Sequence, residues 1–137
     1  MADTLQLEIV TPDRLLVNEQ VEEVEIPGKS GYLEALPLHA PLITELAPGE
    51  LTYKSGGKMN RLAVSWGFAE VLPDKVTILA QTAERPEEID VQRAQAAKQK
   101  AEEQLQHPKP DTDYEAALAA LQRADVRLHV AAEKGQR

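Results

Sequence analysis

Two arginines four residues apart, Arg123 and Arg127, share one face of any helix through this part of the chain. They repel one another there by a few tenths of a kcal/mol. The residues three and four positions from either are alanine, valine or the other arginine, so neither finds an acid on its own helix. An anion from elsewhere would relieve the pair. It could come from acids of the preceding helix as ordinary salt bridges, or from a phosphate shared with Arg93, because guanidinium forks match phosphate oxygens. Other chemistry is sparse. Gly28-Lys29-Ser30 has the end of a phosphate-binding loop, but Glu23 stands where that loop needs its first glycine, so the segment reads as a turn. No serine sits in a nucleophile elbow, and no carboxylate pair is singled out by spacing. His39, His107 and His129 are too scattered to form a metal-ligand pair, and the absence of cysteine excludes thiol catalysis, disulfides and thiolate-bound zinc. The expectation is a chain with no catalytic residues and no metal.

The elements that must position these arginines follow from a change of composition near residue 86. Valine, isoleucine and threonine number 17 in the first 85 residues and 5 in the last 52, and six of the seven glycines lie in the first part. β-branched residues mark strands. Leu5, Leu7 and Ile9 alternate with polar residues before Thr11-Pro12, as do Val24 and Ile26 with Glu23 and Glu25, and Val76, Ile78 and Ala80 before the boundary. Pro48-Gly49 suits a type II turn, Gly56-Gly57 a hairpin tip with positive φ, and Pro73-Asp74 a type I turn. Short strands with turns this frequent predict a sandwich or barrel over residues 1–85.

Residues 86–137 hold eleven alanines and predict two antiparallel helices. The first opens with Pro86 at an early position and Glu87, Glu88 and Asp90 in its first turns. Its apolar stripe is Ala94, Ala97, Ala101 and Leu105. His107-Pro108-Lys109-Pro110 breaks it, and Asp111 or Asp113 caps a second helix from about Tyr114, with a heptad seam of Ala117, Leu121, Ala124, Leu128 and Ala131. A seam made mostly of alanine buries about one methyl per position, at ~0.8 kcal/mol each, so such a hairpin is weakly held.

Charge limits the partners. The chain carries 15 basic and 23 acidic side chains, a formal net charge of -8. Such a chain is repelled by nucleic acid. The first 85 residues hold 7 basic and 13 acidic side chains and the last 52 hold 8 and 10, so the excess belongs mainly to the first part. The longest uncharged apolar stretch, residues 35–44, contains two prolines and falls well short of the ~20 residues of a membrane helix. The start Met1-Ala2-Asp3 lacks the basic and apolar regions of a signal peptide, which predicts a protein that stays in the compartment where it is made.

Several segments, in this order and spacing, resemble the epsilon subunit family of bacterial F-type ATP synthases. They are LEIVTP (7–12), SGYLEALPLHAPL (30–42), Pro48-Gly49, WGFAEV (66–71), VTILA (76–80) and IDVQRA (89–94), followed by the helical hairpin. The resemblance spans essentially the whole chain. It implies an α+β fold in two parts, a ten-stranded β-sandwich followed by an antiparallel two-helix hairpin. It also implies a non-catalytic rotor subunit whose sandwich binds the gamma subunit and the c-ring. The hairpin would extend along gamma and obstruct ATP hydrolysis by the alpha and beta subunits. The location implied is the cytoplasmic face of the bacterial plasma membrane, peripherally and through the complex. Ile89, Asp90, Arg93 and Ala94 match a motif associated with ATP binding in some members, Arg123 and Arg127 match the second-helix arginines that join it, and Glu84 matches an acid near the nucleoside. ATP, with or without magnesium, would then be a regulatory ligand rather than a required cofactor. The other reading of the same residues is a free-standing ATP-binding sensor. Glu34-Ala35 and Ser65-Trp66 depart from the family pattern on the gamma-facing surface. Pro108 and Pro110 predict that any extended form stays broken near residues 107–111.

Overall fold

Alternation of apolar and polar residues becomes burial in the strand β1 (Leu5–Thr11), where Leu5, Leu7 and Ile9 point inward and Gln6, Glu8 and Val10 outward. The computed structural model describes residues 3–133. Among them the chain forms two units, one ending at Ala83 and the other beginning at Glu84. Seven further strands build the first unit: β2 (Arg14–Val21), β3 (Glu23–Gly28), β4 (Gly31–Ala35), β5 (Leu42–Leu46), β6 (Gly49–Ser55), β7 (Lys58–Val71) and β8 (Lys75–Glu84).

They are hydrogen-bonded in the order β2-β1-β8-β7-β5-β3-β4, with β6 joining β3 to β7. The circuit β3-β6-β7-β5 closes on itself through the pair Gly28 and Leu46, which folds the sheet back over its own core. β1 pairs antiparallel with β2, β3 with β4, β5 and β6, and β7 with β5 and β6, whereas β1 and β8 run parallel from Gln6 opposite Lys75 to Val10 opposite Leu79. Leu5, Leu7, Ile9, Val24, Ile26, Leu51, Leu62 and Ile78 fill the interior at no more than 1% exposure. Burying such a side chain contributes about 1.5–3 kcal/mol.

The described residues contain eight strands rather than ten. β7 accounts for part of the difference, because one 14-residue strand does what two would do. Its first half pairs with β6 from Lys58 to Val64, and its second half pairs with β5 from Gly67 to Val71. Ser65-Trp66 is the joint, with Trp66 at φ 48° and Gly67 at φ 125°. The step re-aims the strand without ending it.

The turns divide. Gly56 and Gly57, at φ 58° and 79°, form the expected tip between β6 and β7. Leu72 and Lys75 close the Pro73-Asp74 turn through reciprocal backbone bonds. Gly28-Lys29-Ser30 is indeed a turn, joining β3 to β4. Gly49 differs from expectation. It has no positive φ, so Pro48-Gly49 does not make a type II turn there. Its role is close approach: a Cβ at Gly49 would lie 2.5 Å from Pro27 Cβ and 2.8 Å from the Tyr32 hydroxyl. Gly49→Ala is therefore expected to cost about 1–3 kcal/mol through overpacking, read as a lower urea midpoint with an unchanged slope. A midpoint equal to wild type would contradict the close fit.

On the edge pair β3-β4, Glu25 lies opposite Glu34. A hydrogen bond that the protonated Glu34 carboxyl donates to Glu23, then desolvation and the negative charges of Glu23 and Glu25, raise the Glu34 carboxyl above its ordinary value.

Candidate anion site in the helical hairpin

The second unit starts with a short 3-10 turn, Pro86–Glu88, rather than with the expected long first helix. Ile89 and Asp90 then adopt extended backbone, which interrupts helical hydrogen bonding. The helix α1 (Val91–Gln106) begins only after Asp90, whose Oδ1 accepts the Arg93 backbone N–H at 3.1 Å. Asp90 is thus an N-cap, and Glu87 and Glu88 lie outside the helix they were expected to open. The break expected at His107-Pro108-Lys109-Pro110 is present. Thr112 organises it by donating its N–H to Lys109 O, while its Oγ1 accepts the Lys109 N–H. Asp113, not Asp111, caps α2 (Tyr114–Glu133) by accepting the Ala116 N–H at 3.0 Å.

Ala94 and Ala101 of α1 and Ala117, Ala124 and Ala131 of α2 are buried, as the alanine spacing predicted. Ala97, Leu105, Leu121 and Leu128 are only half-buried, and Val130, outside the heptad seam, is fully buried. Lys98 and Asp125 bridge the two helices at 3.0 Å. The Asp125 carboxylate holds the Lys98 ammonium above the usual lysine value. Neither residue is prominent in the sequence; only the antiparallel register would have paired them.

The expected site residues fall into three groups. Arg127 meets Glu84, its Nε donating to Glu84 Oε1 at 2.5 Å, with both side chains a little over a quarter exposed. The acid that answers Arg127 is therefore the first residue of this unit, not one of the helix-one acids considered from sequence. Asp90 and Arg93 are joined through the cap, which leaves the Arg93 guanidinium exposed. Among the described residues no hydrogen bond or ion pair links that guanidinium to the Arg127–Glu84 pair. Ile89 and Ala94 are buried at 7% and 3% exposure, placements that serve packing. Arg123, one turn before Arg127, is half-buried.

Such an arrangement presents cations and a helix N-terminus; it offers no nucleophile or general base in a dry cleft. No group of three His, Asp or Glu residues among the described residues is placed to hold a metal. Comparison with known proteins gives the rest. Residues 4–86 match the family model described as ATP synthase, Delta/Epsilon chain, beta-sandwich domain, and residues 87–132 match the long alpha-helix domain of the same chain. The ATP synthase epsilon chain of Solibacter usitatus is 50% identical over 98% of this chain and 100% of its own length. The chain belongs to the ATP synthase epsilon family.

Within that family, the epsilon chain of Koribacter versatilis is 63% identical over 81% of this chain and 78% of its own. Among solved structures, a chain of the Euglena gracilis mitochondrial ATP synthase superposes with a TM-score of 0.82 at 27% identity, covering 96% of this chain and 83% of that one. A chain from the Tetrahymena thermophila mitochondrial enzyme, at 12% identity and a TM-score of 0.58, shares the fold. Epsilon is a non-catalytic subunit of the ATP synthase complex. No helix among the described residues is long and apolar enough to cross a membrane.

Proposed function

We propose that this chain is a central-stalk rotor subunit of a proton-translocating ATP synthase, in which the sandwich docks on gamma and the c-ring and the helical hairpin restrains ATP hydrolysis. The observation that carries the docking half is an apolar stripe on the outer face of the sheet. Ile43 on β5 and Phe68 on β7 are diagonal neighbours, since Ile43 pairs with Glu70 and Glu45 with Phe68. Beside them Leu79 on β8 lies opposite Val10 on β1, and Val10 opposite Leu15 on β2. Ile43, Phe68, Leu79 and Leu15 are each more than half exposed. A stripe across five strands that stays wet in the isolated chain is the kind of surface a permanent partner covers.

The regulatory half rests on the hairpin. Its alanine packing leaves it among the less stable parts of the chain, and elements that move in regulation come from that end of the range. Restraint would be relieved or enforced by nucleotide: the Arg123 and Arg127 face, with Arg93, would hold the phosphates of ATP. Bound ATP would shift the hairpin only as far as its affinities for the two hairpin states differ. The complex would lie at the cytoplasmic face of the membrane, and this subunit would reach the membrane only through its partners.

Two variants in the assembled enzyme test the reading. Phe68→Asp should lose copurification with gamma while the isolated chain melts as wild type. Truncation after Arg85 should keep copurification and raise ATP hydrolysis. Retention of gamma by Phe68→Asp would remove the stripe as the docking surface, and unchanged hydrolysis after truncation would remove the inhibitory role.

A further inference from the structure

We propose that Leu38 is an anchor residue, held out under backbone strain by the loop between β4 and β5 and received by an apolar cavity of the partner that covers the Ile43–Phe68 stripe. The proposal rests on the docking reading above and adds a residue outside the stripe. Among the described residues, Leu38 and Trp66 are the two non-glycine residues with positive φ, at 71° and 48°. Trp66 lies at the step in β7, whereas Leu38 lies in a loop. A bulky side chain is strongly disfavoured in this left-handed region, which glycine adopts freely. Burial does not offset the strain, because Leu38 is 66% exposed. Strained positions of this kind gather at sites that grip a ligand or partner.

The loop is apolar and stiff. Residues 36–41 run Leu-Pro-Leu-His-Ala-Pro without a charge, and Leu36 is exposed like Leu38. Its two prolines fix their own φ. The Leu38 N–H donates to Pro73 O at 2.7 Å, the His39 N–H to Leu36 O at 3.1 Å, and His39 Nδ1 to Ala40 O at 2.6 Å. A loop already in shape loses little conformational freedom on binding, so the leucine it presents contributes nearly its full burial. Position indicates the partner. The loop runs into β5 at Leu42, and the bond to Pro73 ties it to the turn between β7 and β8. Those three strands carry Ile43, Phe68 and Leu79, so Leu38 stands at the end of the strands whose outer face the partner covers. Seating a leucine in an apolar cavity strengthens binding about tenfold to a hundredfold.

The test is competition. Wild-type and variant full-length chains, distinguished by mass, are mixed in equal amounts with ATP synthase of the same organism depleted of its epsilon subunit, and the ratio recovered in the enzyme reads relative affinity. Leu38→Gly should be recovered at about a tenth of the wild-type amount or less, while its urea midpoint equals or exceeds that of wild type because glycine relieves the strain. Leu38→Asn, a polar side chain that tolerates positive φ, should be outcompeted to the same extent. Recovery of either variant within about twofold of wild type would overturn the proposal. A lower midpoint for Leu38→Gly would overturn it too, by placing the side chain in the fold rather than in the interface. Phe68→Asp in the same assay separates the two readings. Its recovery at the wild-type level would remove the docking stripe and the anchor with it, whereas its loss beside wild-type recovery of both Leu38 variants would remove the anchor alone.

Discussion

Gly67→Ala should strip the sandwich of a large part of its stability. A Cβ at Gly67 would sit 1.9 Å from Leu79 O, 2.9 Å from Leu79 C and 3.0 Å from Ala80 Cα. All three atoms are backbone, so no rotamer change can make room. β8 cannot retreat either, because it lies between β7 and β1 and any shift would break the parallel pairing on its far side. The φ of 125° adds conformational strain for any side chain. Together these place the cost at about 4 kcal/mol or more, against a total stability of about 5–15 kcal/mol for a domain. Urea denaturation followed by tryptophan emission would report it, and a loss below about 1 kcal/mol would show that the strands separate easily here. Gly31→Ala is the useful comparison. Gly31 has nearly the same φ, 127°, but nothing within 4 Å of the added carbon, so it isolates strain, about 1–3 kcal/mol, from collision.

A second large effect is expected from Ala124→Glu. Ala124 is 1% exposed at the middle of α2, and the one cation three or four residues from it on its own helix is Arg127. Arg127 is already engaged by Glu84. Burying an unpaired charge costs at least about 3 kcal/mol, more than an alanine seam can offset, so the helix must expose the position instead. Trypsin should then cut after Arg123 and Arg127 on the order of a hundredfold faster than in wild type, while the sandwich melts at its usual temperature. Equal cleavage rates would mean that the hairpin is already open in the wild-type chain.

The strands that could be read in advance were those whose alternation is strict. Leu5, Leu7 and Ile9, or Val76, Ile78 and Ala80, declare their inward face because each polar neighbour must point out. β7 could not be delimited in this way. Leu62, Ala63, Val64 and Ser65 are all buried in succession, so periodicity fails where the strand passes from one partner to the other. The glycine that permits the passage was visible, but a lone glycine in WGF does not say which backbone it approaches. Asp90 and Asp113 show a related limit. Both are acids near helix starts, yet whether Asp90 lies inside the first turn or caps it depends on the extended backbone at Ile89, which no side chain announces. For the arginines, sequence shows only that no acid stands three or four residues from either. It could not find Glu84 as the partner of Arg127, because a contact across 43 residues is a product of the fold.

The parallel pairing of β1 with β8 also fixes an order of events during synthesis. Gln6 must wait for Lys75, and Val10 for Leu79, before the sheet can join its first strand to its last. Contacts so distant along the chain form late and slowly. Until then β1 and the strand edges beside it are open to other nascent chains, the period in which aggregation is most probable. The hairpin is made after β8, so it is absent when the sheet first becomes able to close. A ribosome therefore delivers the sandwich first and its helical tail second, and the sandwich has to become stable without help from the tail.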